Sequence, residues 1–129
     1  MFSNSAYAGM RTLVALGRLE VEADMSARFL KTVNDLFDLM NVLCYGTGVR
    51  PLNRSCTELQ KLIKLKDDLL SWHVSDPGAA SRPPCFDGFT QAVNATLVLH
   101  EQLVLNGQVK FLMTGRLNQD CIENFFQPD

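Results

Sequence analysis

MSARFLKTVNDLFDLMNVL, residues 25–43, decides how this chain folds. Met25, Phe29, Leu30, Val33, Leu36, Phe37, Met40 and Leu43 recur at steps of three and four, so a helix gathers them into one apolar stripe. That stripe predicts a helix from about Glu22 to Leu43. Asn34, Asp38 and Asn41 are also spaced at steps of four and three, with Lys31 one turn earlier, which puts them in a line on a polar face.

The segments on either side read the same way. Upstream, Met10, Leu13, Val14 and Leu16 come after the small residues Ala6, Ala8 and Gly9, predicting a helix over Asn4 to Leu19. Downstream, CYGTGVRPLNR (44–54) holds two glycines and a proline and reads as a loop. Ser55 and Glu58 have the spacing of a capping box, which predicts a third helix from Ser55 to Trp72 with Leu59, Leu62, Ile63, Leu69 and Leu70 on one face. VSDPGAASRPPCFDG (74–88) is too rich in Pro, Gly and Ser for a regular element and reads as the main connector. A fourth helix is expected from Phe86 to Leu105, carrying Phe89, Val93, Leu97, His100 and Val104, with Asn106-Gly107 as its stop. Val109 to Thr114 is a short apolar run, and Asn118 opens a last helix through Phe126, ended by Pro128. Five helices and no strand predict an all-α fold.

Composition narrows the function classes. The chain has 129 residues, 47% hydrophobic and 20% charged, ordinary values for a folded domain. A net charge of -2 argues against a dominant nucleic-acid-binding surface, which is usually strongly basic. No apolar run approaches the roughly 20 residues of a membrane span, and no basic region precedes the first apolar stretch, so neither a membrane protein nor a secreted one is expected. Cys44, Cys56, Cys85 and Cys121 form no C-x-x-C pair, and His73 and His100 stand at no ligand spacing to them, which disfavours zinc. Glycine-rich phosphate loops and serine-nucleophile motifs are absent from the sequence. Lys61, Lys64 and Lys66 read as a water-facing run.

Two polar patterns could carry chemistry, and each has a bland alternative. The Asn34, Asp38, Asn41 line is either the solvated face of an amphipathic helix or a set of donors and acceptors for a polar ligand such as a purine base. Asp120 and Glu123, three apart, either favour the helix dipole or place two carboxylates near one magnesium ion.

The wording around these carboxylates is specific. LMTGRLNQDCIENFF (112–126), with FSNSA (2–6), NDLFDLMN (34–41) and FDGFTQAVNATLVLHEQL (86–103), resembles the P-element type transposases, a family that includes the THAP-domain transposases of animals. The resemblance runs in order along the chain to Phe126. It implies a cut-and-paste DNA transposase in which an RNase H-like catalytic fold is split by a helical insertion domain that binds GTP. On that resemblance, residues 1–105 are the partial helical insertion domain and residues 106–129 a stub of the nuclease fold. Glu123 matches the last acidic residue of the catalytic triad and a magnesium ligand. Asp120 matches an acidic residue between the metal centre and the nucleotide, and Asp38, Asn41 and Ser3 match the nucleotide pocket.

The matches stop short in specific places. The first two catalytic aspartates and the zinc-bearing THAP module find no counterpart in these residues, so one triad carboxylate is expected to be unable to assemble a two-metal site. The expectation is therefore a truncated transposase derivative, silent alone, meeting transposon-end DNA only through its full-length parent, in the nucleus, with self-association or pairing with the parent transposase as further options. A domesticated helical interaction module and a partial gene product without function are the alternatives.

Overall fold

A computed structural model describes residues 4–43, 49–74, 78 and 82–118. Four α-helices dominate it: α1 (Asn4–Ala15), α2 (Ala23–Met40), α3 (Thr57–Ser71) and α4 (Pro84–Leu99). The fold is mostly helical, as expected.

Helix α1 presents half-buried Ala6, Tyr7, Met10 and Val14 at helical steps and packs on α2, while Leu13 and Leu16 face water. It ends before the expected Leu19 because Gly17 takes a left-handed conformation, φ 66°. The Gly17 amide then donates to the Val14 carbonyl (3.0 Å) and the Arg18 amide to that of Leu13 (2.8 Å), the paired bonds of a Schellman stop. An ion pair from Asp24 to Arg11 (3.0 Å) ties α1 to the start of α2, and a second, within α2, joins Asp24 to Arg28 (2.8 Å).

Helix α2 buries Ala27, Val33, Leu36 and Leu39. Of these, Val33, Leu36 and Leu39 share one core with Leu62 and Leu69 of α3 and Phe86 and Val93 of α4. Rings close one end of it: Phe29 packs edge-on to Trp72, with centroids 5.6 Å apart, and against Phe86 at 5.8 Å. Burying such side chains stabilises each by roughly 1.5–3 kcal/mol, so this core sets the fold.

Three expectations fail locally. The capping box does not form: helix α3 starts two residues late, its N-cap Cys56 being extended with no side-chain cap. The reason is Asn53, whose side chain accepts the Ser55 amide (3.0 Å) and holds that residue in a turn, while Glu58 is buried instead of reaching back. The helix that begins at Pro84, a residue suited to a first turn, changes pitch at His100 and continues as a π-helix through Leu105. It stops where expected, at Asn106 and Gly107, the glycine adopting φ 76°.

The third failure concerns strands. Leu52–Asn53 (β1) pairs antiparallel with Phe111–Leu112 (β2), Leu52 opposite Leu112 and Asn53 opposite Phe111. Buried His100 is more than the helix-side residue its spacing suggested: its Nε2–H donates to the Asn53 carbonyl at 2.8 Å, fixing the ladder to the π-helix. A short 3-10 turn, Thr114–Arg116, comes after β2. The expected last helix lies outside the described residues, apart from Asn118. Among the described residues, no helix is long and apolar enough to cross a membrane.

Candidate functional site

The polar line of α2 survives in the structure. Asp38 is exposed and accepts a hydrogen bond from the Asn34 side chain at 3.0 Å. Lys31 is committed to Asp35, at 2.7 and 3.0 Å, so it does not neutralise Asp38. Asn41 stands one turn on, where the helix has ended (φ -129°, ψ 39°).

The segment after β2 is brought back to this helix end. Thr114, 1% exposed, donates through Oγ1 to the Leu39 carbonyl (2.6 Å) and accepts the Val42 amide (3.1 Å). The Gly115 amide donates to the Val42 carbonyl at 3.1 Å. The bond to Leu39 satisfies one of the carbonyls that a helix end leaves open, and the other two pair the backbone of Val42, just past that end. Asn118 then donates from Nδ2 to the Asn41 Oδ1 at 3.2 Å. Sequence reading missed Thr114 and Asn118, because their role depends on the β1–β2 pairing that delivers them.

Two grooves flank the polar line. Asp38 opens on one between α2 and α3, about 370 Å³, shared with Asp35, Glu58, Lys61, Lys64 and Asp68. Asn41 opens on another of about 350 Å³, with Phe37, Met40, Thr114 and Asn118. Asp38 and Asn41 are therefore neighbours along one exposed edge but face separate hollows. An exposed carboxylate with spare acceptor capacity beside a primary amide suits a ligand edge rich in N–H donors.

Ser3, Asp120 and Glu123 lie outside the described residues. Among the described residues, no group of three or more His, Cys, Asp or Glu side chains is placed to hold a metal ion. The lysine run divides: Lys61 and Lys64 are exposed, whereas Lys66 is half-buried and donates to Asn94 at 3.4 Å.

In sequence and in fold the chain is similar to a segment of a transposase. The particular protein it resembles is the P element transposase. The chain is 28% identical to the transposable element P transposase of Drosophila melanogaster over 136 residues, covering 98% of this chain and 17% of that protein. The Drosophila P element transposase strand transfer complex has the same fold, with a TM-score of 0.73 and 25% identity, over 97% of this chain and 29% of that one. No protein-family model matches the chain. The likeness thus spans nearly all of these residues but a minor part of either relative: the chain is similar to a segment of the P element transposase.

Proposed function

We propose that this chain is a transposase-derived module that binds GTP with magnesium along the Asp38–Asn41 edge, with Ser3 and Asp120 completing the pocket. One observation carries the reading: the Asn118 to Asn41 hydrogen bond. It joins the segment leading into Asp120 and Glu123 to the helix end that bears Asp38. Asp38 would accept from the donor edge of the base, and Asn41 would orient it through its amide. Magnesium, when bound, would screen the phosphate charge and polarise phosphoryl oxygens.

Glu123 is proposed as a catalytic carboxylate of the RNase H-like centre of the longer parent, which would engage transposon-end DNA in the nucleus. Within these 129 residues the resemblance supplies Glu123 alone of the triad. Two metal ions cannot be gathered by one carboxylate, so the polypeptide by itself should not cut or join DNA.

Calorimetric titration with GTP and magnesium tests the nucleotide site. Micromolar binding that disappears in Asp38→Ala supports it, and absence of heat at millimolar GTP removes it. DNA nicking by the purified polypeptide that is lost in Glu123→Ala would contradict the account of the nuclease centre.

A second reading, a helical protein-interaction module, is favoured by a different feature. Met25, Phe29, Phe37, Trp72, Phe86 and Phe89 line an apolar groove of about 740 Å³, and Met25 and Phe37 are 57% and 50% exposed. Open apolar surface of this kind favours association, including self-association. Under that reading GTP gives no heat, and sedimentation shows an oligomer or complex that Phe37→Asp dissolves.

A further inference from the structure

Asn106-Gly107 stops the π-helix, and the same pair carries chemistry of its own. An asparagine side chain is open to attack by the backbone nitrogen of the next residue. Glycine there makes the attack easiest, because no Cβ crowds the five-membered ring that forms. Asn-Gly occurs once in this chain, and each of the other asparagines is followed by a residue with a side chain. Residues 105–110 are all exposed, Gly107 has φ 76°, and the Asn106 side chain makes no hydrogen bond to a described residue.

Two features set the rate. The Gly107 N–H donates to the Val104 carbonyl at 3.1 Å, so the nitrogen is held until the helix end opens, and an exposed helix end opens at small cost. Arg54 donates from its guanidinium to the Leu105 carbonyl, and its positive charge beside the turn favours the deprotonated nitrogen that attacks. One hydrogen bond must break first, which makes the reaction about tenfold slower than in the unfolded chain.

We infer that Asn106 is a site of spontaneous deamidation whose products loosen the segment carrying Thr114 and Asn118. The Gly107 nitrogen bonds to Asn106 Cγ and ammonia leaves. Water then opens the succinimide at either carbonyl, giving aspartate or isoaspartate, so asparagine plus water becomes acid plus ammonia with no change of oxidation state. Aspartate sets a negative charge at the negative end of the helix. Isoaspartate also inserts a methylene into the backbone. That displaces the Val109 amide from the Leu103 carbonyl, now 2.9 Å away, and with it the approach of β2 to its partner, where Leu112 stands opposite Leu52. Thr114 comes two residues after Leu112, and Asn118 is the residue that meets Asn41.

The test ages the 129-residue chain at mildly alkaline pH, beside the urea-unfolded chain and Asn106→Ser, and maps deamidation by peptide mass spectrometry. Deamidation should fall first on Asn106, about tenfold slower in the folded chain than in urea. Part of the product should accept a methyl group from an isoaspartyl methyltransferase. Nuclear magnetic resonance of the aged chain should show shifted signals for Thr114 and the Asn118 side-chain amide, absent from aged Asn106→Ser. Asn106→Asp, which adds the charge without the methylene, should move them less. Another asparagine reacting first, or a folded chain left unmodified while the unfolded one is fully converted, overturns the site. Conversion at Asn106 that leaves Thr114 and Asn118 unmoved overturns the coupling to β2.

Discussion

The Asn118 side-chain amide donates to the Asn41 side-chain oxygen across 3.2 Å, joining two positions 77 residues apart in the chain. Each lies beside a motif the sequence singles out, Asp38 with Asn41 on one side and Asp120 with Glu123 on the other. This contact couples the polar edge of α2 to the segment that leads, in sequence, to the acidic pair. Its rigidity depends on how firmly residues 111–117 are anchored.

Thr114 is the chief anchor. Thr114→Val keeps the shape but removes both the donor to Leu39 and the acceptor for Val42, leaving two buried backbone groups unpaired. A loss of about 1–3 kcal/mol is expected, read as a lower urea midpoint at unchanged slope. Thr114→Ser, which retains the hydroxyl, should recover most of it.

Gly115 is a site where any side chain collides. A Cβ there would stand 2.6 Å from Leu43 Cδ2 and 3.1 Å from the Val42 carbonyl oxygen. Leu43 is half-exposed and can swing away, whereas the Val42 carbonyl is backbone and is held by the Gly115 amide itself. Gly115→Ala is expected to destabilise by about 1 kcal/mol. Adding Leu43→Ala should restore part of that, a coupling that a double-mutant cycle in urea denaturation measures.

The α1–α2 junction should respond to acid. The Asp24 carboxyl is held below its ordinary 3.8 first by its hydrogen bond from Arg28, with the charges of Arg28 and Arg11 adding to it and desolvation opposing. A carboxyl lowered in the folded state contributes stability that is fully present above its unfolded value and fades as pH falls through the folded one. Asp24→Asn should therefore lower the melting temperature slightly at neutral pH, and the difference from the parent chain should vanish in strong acid, below the folded value. A difference that persists there would assign the effect to packing instead.

The core prediction is the simplest. Leu62 is 0% exposed at the centre of the α2–α3–α4 packing. Leu62→Ala should cost about 2–5 kcal/mol, a large share of the roughly 5–15 kcal/mol that holds a typical domain folded, read as a lower urea midpoint.

Much of this arrangement was legible in residues 25–43, because an apolar stripe at helical spacing leaves α2 few other ways to pack. The stop at Gly107 was legible too, since glycine readily takes the positive φ found there. The β1–β2 ladder was not: two residues per strand carry no alternation to read, and Leu52 is held by the distant Leu112. Asn53 defeated the Ser55–Glu58 pattern because its side chain competes for the same amide. The π-helical pitch at His100 has no local signature either, its ring being fixed by a distant carbonyl. At the site, Asp38 and Asn41 could be found as a polar line, but the hydrogen bond that ties Asn41 to the later segment depends on tertiary pairing alone.

The most direct test of the proposed nucleotide site tracks the side-chain amides by nuclear magnetic resonance as GTP and magnesium are added to the labelled chain. The amide protons of Asn41 and Asn118 should shift together in a saturable way, while those of Asn106, beyond the far helix, stay still. Saturable GTP binding that moves the Trp72 indole in the apolar groove and leaves Asn41 and Asn118 unmoved would contradict the account.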